Sequence, residues 1–340
     1  MARQKGDCAY NTITMVIRDK RQYAAAKRPI LVFALTCTLA IISGCTNLND
    51  KEQISATGTE IVKVPPTIEP GTTTSTTVES LDLPEEFNNS KTRTTVDGVI
   101  RSYTIVDLSL GQTAPLLFVL HGYGGNGEQM REVIETTDTL NQLPGLNPIV
   151  VYPEGTSAAW GLAQAWDATN CCLDRTSPDT DDIAFFEQMI DEISKKHNVD
   201  SKRIWIAGWS NGGMMAYRLA CELSEKIDAI VVGAGAYTVD TCTPMQPVSA
   251  LHIHGELDVA VPYEGGSTAG ILFPSTQVSI ETFAKANSCT PGESIAEQNL
   301  VTRPYICDKN TNIELVTSNT WTHTWVNEWT ELLVNFLSKR

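Results

Sequence analysis

The chain reads as an α/β protein built on a mostly parallel central sheet with helices on both faces. Two observations predict this. Short continuous apolar runs alternate with segments of helical period through roughly 250 residues, enough for one large domain. The apolar runs also lack the alternating polarity of a half-exposed sheet, so both faces of their strands should be covered. Leu116–Leu120 is the first such strand, followed by a loop and a helix near Glu128–Thr136. Ile149–Tyr152 is the second strand. Asp182–His197 places Ile183, Phe185, Phe186, Met189, Ile190 and Ile193 on a helical repeat. Strand Arg203–Ala207, helix Gly212–Leu223, strands Ala229–Val232 and Ala250–His254, helix Val278–Ala286 and a last helix Asn327–Leu337 complete the series. In such a sheet, ligand chemistry belongs at the carboxyl ends of the strands.

The rest of the chain has a different character. It totals 340 residues with a formal charge of −15, but residues 1–44 carry seven Lys/Arg and two Asp, a net of +5, which leaves −20 on the remainder. Nucleic acid is a poor partner for so acidic a surface. Basic residues run up to Lys27 and Arg28, and the apolar run Ile30–Ile42 follows. As a helix that run reaches about 20 Å, short of the roughly 30 Å of a bilayer core. The pattern is that of a secretory signal peptide over residues 1–44, whether translation starts at Met1 or Met15. Its end, Ile42-Ser43-Gly44-Cys45, resembles the lipobox of bacterial lipoproteins, which implies lipidation of Cys45 and a membrane as partner. Residues 45–92, rich in Thr, Pro and acids, have too little apolar surface to offset chain entropy and read as a disordered tether. The folded α/β domain is then 93–340. An exported protein is expected, either a cell-envelope lipoprotein or secreted.

Cysteine usage fits export. Beyond Cys45 lie Cys171, Cys172, Cys221, Cys242, Cys289 and Cys307, an even number that points to disulfides, with fifteen pairings open. A metal site is not expected: no C-x-x-C occurs, and His252 and His254 share a strand face without an evident third ligand.

Three strand ends carry chemistry. After strand Arg203–Ala207 comes Gly208-Trp209-Ser210-Asn211-Gly212, a G-x-S-x-G between strand and helix. The glycines permit a sharp turn that exposes the serine Oγ, and the helix N-terminus behind it offers amides to developing negative charge. This nucleophile elbow resembles that of α/β-hydrolases, whose chain order is serine, acid, histidine. After Ser210 and a plausible acid, His323 is the remaining histidine, so it is the expected base. Asp258, in the loop after strand Ala250–His254, is the expected acid, ahead of Glu256 and Asp240. The third strand end is His121-Gly122-Tyr123-Gly124-Gly125-Asn126-Gly127. It also matches G-x-G-x-x-G, but an exported hydrolase has little use for a dinucleotide, and an oxyanion loop is the better reading. No cofactor is called for.

Taken together, these segments resemble the esterase/polyhydroxybutyrate-depolymerase family, which includes feruloyl and acetyl esterases. The resemblance spans about residues 93–338 and includes Trp166-Asp167 before Cys171-Cys172, Asp181-Asp182-Ile183-Ala184-Phe185, Arg203 to Ala216, His252-Ile253-His254-Gly255, Val261-Pro262-Tyr263 and His323-Thr324-Trp325. It departs from the family at Thr322 and Val326, where members carry glycine and proline. The resemblance implies an α/β-hydrolase fold and a Ser210–Asp258–His323 triad. It also implies disulfides from Cys171 and Cys172 to Cys221 and Cys242, with Cys289–Cys307 as a separate clip. An acyl-enzyme mechanism would use the amides of Asn211 and Tyr123 as the oxyanion hole. Trp209 and Trp325, beside catalytic residues, are candidates to wall the acyl pocket, with Trp160 and Trp166 behind them. Asp181-Asp182 should cap the following helix. The expected substrates are soluble or polysaccharide-linked acyl esters or hydroxyalkanoate oligomers. The rivals are a serine peptidase of prolyl-oligopeptidase type and a non-catalytic, polymer-binding lipoprotein.

Overall fold

In a computed structural model of the protein, the described residues are 90–135, 147–158, 163–172, 181–308 and 310–340. The leader 1–44, Cys45, most of the tether and Trp160 lie outside them. The strand that opens the described part begins at Ser90 and so includes the last three residues assigned to the tether.

That strand, β1 (Ser90–Val96), forms a hairpin with β2 (Val99–Asp107). The two-residue turn Asp97-Gly98 has positive φ at both positions, 48° and 86°. Such a turn matches the twist of a tight hairpin, and Asp-Gly suits it. The chain continues through β3 (Ala114–Leu120), α1 (Gly127–Glu135), β4 (Ile149–Pro153), a small ribbon of β5 (Thr156–Ala158) and β6 (Ala163–Ala165), and α2 (Asp182–Lys196). Then come β7 (Val199–Trp209), α3 (Asn211–Glu222), β8 (Ala229–Gly233) and β9 (Ser249–Gly255). A second ribbon, β10 (Gly266–Thr268) and β11 (Ile271–Phe273), precedes α4 (Thr276–Ala286). The short strands β12 (Thr290–Pro291) and β13 (Ile295–Glu297), with β14 (Leu300–Ile306), β15 (Ile313–Ser318) and α5 (Asn327–Leu337), complete the chain.

The main sheet runs β1-β2-β4-β3-β7-β8-β9-β15-β14-β12, with β13 also on β14. Its centre, from β4 to β15, is parallel, and antiparallel strands flank it at both edges. The five strands expected from the sequence all lie in this parallel centre. The antiparallel additions escaped notice because their residues are mixed in polarity: β2 alternates between buried and partly exposed positions, whereas β3 is buried throughout.

Two cores lie on opposite faces of the sheet. Leu116, Phe118 and Leu120 of β3 join α2, α3 and α4 through Phe186, Met215 and Ile280. Leu117 and Val119 point the other way, to α1 and α5 through Ile134, Trp329 and Leu333. This is the period-two alternation of a strand covered on both sides. The position of β9 has a consequence for the site: Ala250 belongs to the first core, and Leu251 and Ile253 to the second. His252 and His254, in step with Ala250, therefore face the side that carries α3.

One expectation is corrected. Cys171 pairs with its neighbour Cys172, Cys221 with Cys242, and Cys289 with Cys307. The pairing of Cys171 and Cys172 with Cys221 and Cys242 is thus overturned. Cys221 at the end of α3 and Cys242 in the loop after β8 have Cα atoms 5.0 Å apart, within ordinary disulfide range, and close on each other. The adjacent cysteines are left to pair together. The Cys289–Cys307 clip is as expected.

Candidate active site

The elbow forms where β7 runs into α3. Ser210 takes φ 56° and ψ −120°, a conformation uncommon for a residue with a side chain. It is held there by Ser210 N–H donating to Gly233 O at 2.8 Å and Met214 N–H donating to Ser210 O at 3.0 Å. The flanking glycines are required by close approach: a Cβ on Gly208 would collide with the Gly212 carbonyl, and one on Gly212 would lie 2.6 Å from the carbonyl oxygens of Leu120 and His121.

The structure brings Ser210, His323 and Asp258 into one hydrogen-bonded row. His323 Nε2 lies 2.9 Å from Ser210 Oγ, and His323 Nδ1 lies 2.7 Å from Asp258 Oδ2. The two loops that supply the acid and the histidine are stitched together: Glu256 N–H donates to Ser318 O at 2.9 Å and Leu257 N–H to Trp321 O at 3.1 Å. This follows from β9 and β15 being parallel neighbours, with His254 opposite Thr317 and Gly255 opposite Ser318.

Asp258 is enclosed, with its side chain at 0% exposure. Oδ1 accepts the amides of Ala260 and Val261, both at 2.9 Å. Oδ2 faces His323 and also His254 Nε2, at 3.3 Å. Burial alone would push this carboxyl up, but hydrogen bonds from His254, His323 and the Val261 amide outweigh it and hold Asp258 far below the usual carboxylate range. It is an anion at neutral pH. Glu256 is exposed, and Asp240 accepts from Asn170 Nδ2 at 2.7 Å.

The loop after β3 lies against the elbow. A Cβ on Gly122 would be 3.1 Å from the Trp209 ring and 3.3 Å from Ser210 Cβ. His121 fixes the loop from beneath: Gly155 N–H donates to His121 Nε2 at 2.9 Å, so Nδ1 carries the hydrogen and donates to Gly122 O at 2.7 Å. Burial pushes the His121 imidazole below its ordinary pKa, which keeps it neutral and in that tautomer. Gly124 N–H donates to Gln164 O at 2.8 Å, tying the loop to β6. Tyr123 is half exposed at 51%. The Asn211 side chain is committed elsewhere, accepting from Trp166 N–H at 2.8 Å and donating to Trp166 O at 3.1 Å. What Asn211 can offer the pocket is its backbone amide at the start of α3.

The two tryptophans separate. Trp209 packs on His323, with ring centroids 5.3 Å apart. Trp325 is a core residue: it is 9% exposed, stacks edgewise on Trp329 and donates Nε1–H to Thr330 Oγ1 at 2.9 Å. Trp166 is fully buried and donates Nε1–H to His121 O at 2.9 Å, so it braces the loop. The acidic pair also divides. Asp181 caps α2 by accepting from Ala184 N–H at 2.9 Å, while Asp182 is buried against Arg101 at 2.7 Å. The sequence reading missed the bracing roles of His121, Trp166 and the Asn211 side chain, and it missed His254 beside Asp258. The available signal for the last was the H-x-H spacing, which puts His252 and His254 on one strand face.

Comparison with known proteins bears on the family and the fold. Residues 103–286 match the phospholipase/carboxylesterase family, more than half of the chain. Feruloyl esterase B of Piromyces equi is 33% identical over 190 residues, 53% of this chain and 33% of that protein. A putative esterase, NocK, of Nocardia uniformis subsp. tsuyamanensis is 28% identical over 245 residues, 64% of this chain and 67% of that protein. The chain thus spans only about a third of the first of these relatives. Among solved structures, an acetyl xylan esterase from Aspergillus awamori superposes with a TM-score of 0.51 at 16% identity, covering 73% of this chain and 99% of that one. That likeness shows the fold. The chain belongs to the phospholipase/carboxylesterase family and has the α/β-hydrolase fold.

Proposed function

We propose that the protein is a serine esterase that hydrolyses carboxylic esters through an acyl-enzyme. The observation that carries this reading is the row Ser210 Oγ–His323–Asp258, with contacts of 2.9 and 2.7 Å, at the mouth of a strand-to-helix elbow. Neutral His323 takes the proton of Ser210 as its oxygen attacks the ester carbonyl. Asp258, held anionic, stabilises the imidazolium that forms. The amides of Asn211 and Tyr123 receive the oxyanion, each such donor contributing about 2.7–4 kcal/mol to the transition state. His323 then returns the proton to the leaving alcohol, and water, activated by the same imidazole, releases the acid. The Trp209 ring forms one wall beside His323.

The relatives named for feruloyl and acetyl xylan ester cleavage support acyl esters carried on plant polysaccharide, or small soluble esters, as substrates. Three disulfides are in keeping with export, and the leader and Cys45 add a lipid anchor to that proposal.

The test is turnover of p-nitrophenyl acetate and butyrate beside Ser210→Ala, with a fluorophosphonate label on Ser210. Hydrolysis and labelling by the parent alone are expected. Equal turnover by both proteins would remove Ser210 from the mechanism, and cleavage confined to a dipeptide nitroanilide would make the protein a peptidase. Methyl ferulate, acetylated xylan and hydroxybutyrate oligomers then sort the substrates.

A further inference from the structure

Behind Asp258 runs a second row of hydrogen bonds that the acyl-transfer mechanism does not use. Tyr217 of α3 places its hydroxyl 2.7 Å from His252 Nδ1, and His252 Nε2 lies 3.1 Å from His254 Nδ1. His254 Nε2 then meets Val261 O at 2.9 Å and Asp258 Oδ2 at 3.3 Å. All three side chains are buried, at 0% for Tyr217 and His252 and 1% for His254.

The partners fix where the hydrogens are. Both neighbours of His254 Nε2 are acceptors, so that nitrogen carries hydrogen. The buried Tyr217 O–H donates to His252 Nδ1, so His252 Nε2 carries the hydrogen and donates to His254 Nδ1. Burial and then the neighbouring His254 push His252 well below its ordinary pKa, and burial first of all holds the Tyr217 hydroxyl well above its own, in keeping with these neutral forms. Every donor in the row points the same way, and the last, His254 Nε2–H, is shared between Val261 O at 2.9 Å and Asp258 Oδ2 at 3.3 Å. Hydrogen bonds aligned head to tail in a buried, low-dielectric interior polarise one another and strengthen the last of them.

We infer that Tyr217, His252 and His254 form a positioning relay whose last N–H orients the Asp258 carboxylate and, through it, His323. The inference rests on the esterase reading above. Asp258 Oδ2 receives His323 on one side and His254 on the other, so the relay sets both the angle and the basicity of the oxygen that His323 uses. The titratable groups facing the relay are Asp258 at its end, the ring of Tyr263 against His254, and Tyr237 and Tyr305 beside Tyr217.

Loss of the His254 donor leaves Asp258 more basic and tightens its hold on protonated His323. The base form of His323 is then reached at higher pH. His254→Phe keeps ring bulk and removes both nitrogens, His254→Gln restores an amide N–H, and Tyr217→Phe removes one hydroxyl. For His254→Phe, kcat on p-nitrophenyl butyrate should fall on the order of tenfold or more with KM little changed. The acid limb of kcat/KM should move to higher pH, and the downfield proton resonance of the His323–Asp258 hydrogen bond should shift. His254→Gln should return part of kcat and of both shifts, and Tyr217→Phe should move them in the same sense but less. A folded His254→Phe protein with parental kcat, or with lost kcat but an unmoved limb and resonance, overturns the relay. If His254→Phe does not fold, Tyr217→Phe decides by the same two readouts. Ser210→Ala separates the readings: an active Ser210→Ala protein sinks the esterase assignment, whereas an inactive one beside parental relay variants sinks the relay alone.

Discussion

Asp182 and Asp258 are both carboxylates with 0% side-chain exposure, one at the start of α2 and the other after β9, and their surroundings drive them in opposite directions. Asp182 faces a guanidinium at 2.7 Å and accepts the Asp167 amide at 2.8 Å. Burial is still the largest influence and raises its pKa, against the pull of Arg101 and the amide. Asp258 faces two imidazoles and two backbone amides, and its pKa is lowered despite burial. Asp182 lies deeper and burial prevails there, whereas at Asp258 the N–H groups converging on the oxygens outweigh it. An ion pair ties β2 to α2 at Asp182, whereas four converging donors hold an anion beside His323 at Asp258.

Asp258→Asn should break the comparison at its most sensitive point. The amide must turn its NH2 either towards the Ala260 and Val261 N–H groups or towards His323, which then takes the wrong tautomer. By analogy with the serine-protease triad, kcat should fall on the order of 10⁴-fold while the fold persists. Steady-state kinetics on p-nitrophenyl butyrate with circular dichroism would check it. A loss of only a few-fold would mean that Asp258 is as structural as Asp182.

Arg101→Met tests the other carboxylate. It strands a buried charge, which typically costs about 3–5 kcal/mol, read as a drop in urea midpoint at neutral pH. The sign with pH is opposite to that of a stabilised anion. The native pKa of Asp182 already lies above its ordinary value and rises further without Arg101, so the variant should regain stability as pH falls through that raised pKa towards the unfolded value. Adding Asp182→Leu should restore much of the loss, short of roughly 1–3 kcal/mol for the Asp167 amide left without its acceptor. Per folded molecule, kcat should stay close to the parent's. A fall matching that of Asp258→Asn would tie the ion pair to catalysis.

The sequence made much of this legible, and unevenly. Five of the six parallel strands were readable because each is apolar on both faces, whereas β15, with Glu314 and Thr317 in its run, was missed. The covering helices repeat at 3.6 residues, as α2 does through Phe185, Phe186, Met189, Ile190 and Ile193. That Ser210, His323 and Asp258 would meet was readable because local turn chemistry and chain order constrain them. The β1–β2 hairpin was signalled by Asp97-Gly98 but hidden by the mixed polarity of its strands. The partner of Asp182 was not readable, because Arg101 lies 81 positions away on β2, next to the sheet's edge strand β1. His254 was adjacent in sequence to all the necessary clues, yet its role depends on how the loop after β9 folds back, which no local pattern encodes. The Cys171–Cys172 pairing shows the same limit, since a partner in space had to be chosen from several in sequence.

A third carboxylate extends the comparison towards solvent and has the smallest expected effect. Asp107, at the end of β2, has 29% of its side chain exposed and pairs with His197 Nδ1 at 2.6 Å, while its other oxygen accepts the Ser109 amide at 2.9 Å. Burial here is only partial, and although it pushes the carboxyl up, hydrogen bonds from Ser109 and His197 bring it below its ordinary pKa. A depressed acid contributes stability that is full above its unfolded pKa, about 3.9, and is lost as pH falls through the folded value. Asp107→Asn should therefore cost less than about 1 kcal/mol at neutral pH, because water and salt screen a pair this exposed. The gap between parent and variant should narrow below about pH 4 as the parent carboxyl takes up its proton. Urea midpoints from pH 3 to 7 would measure it. If Asp107→Asn cost as much as Arg101→Met, solvent exposure would not grade these sites.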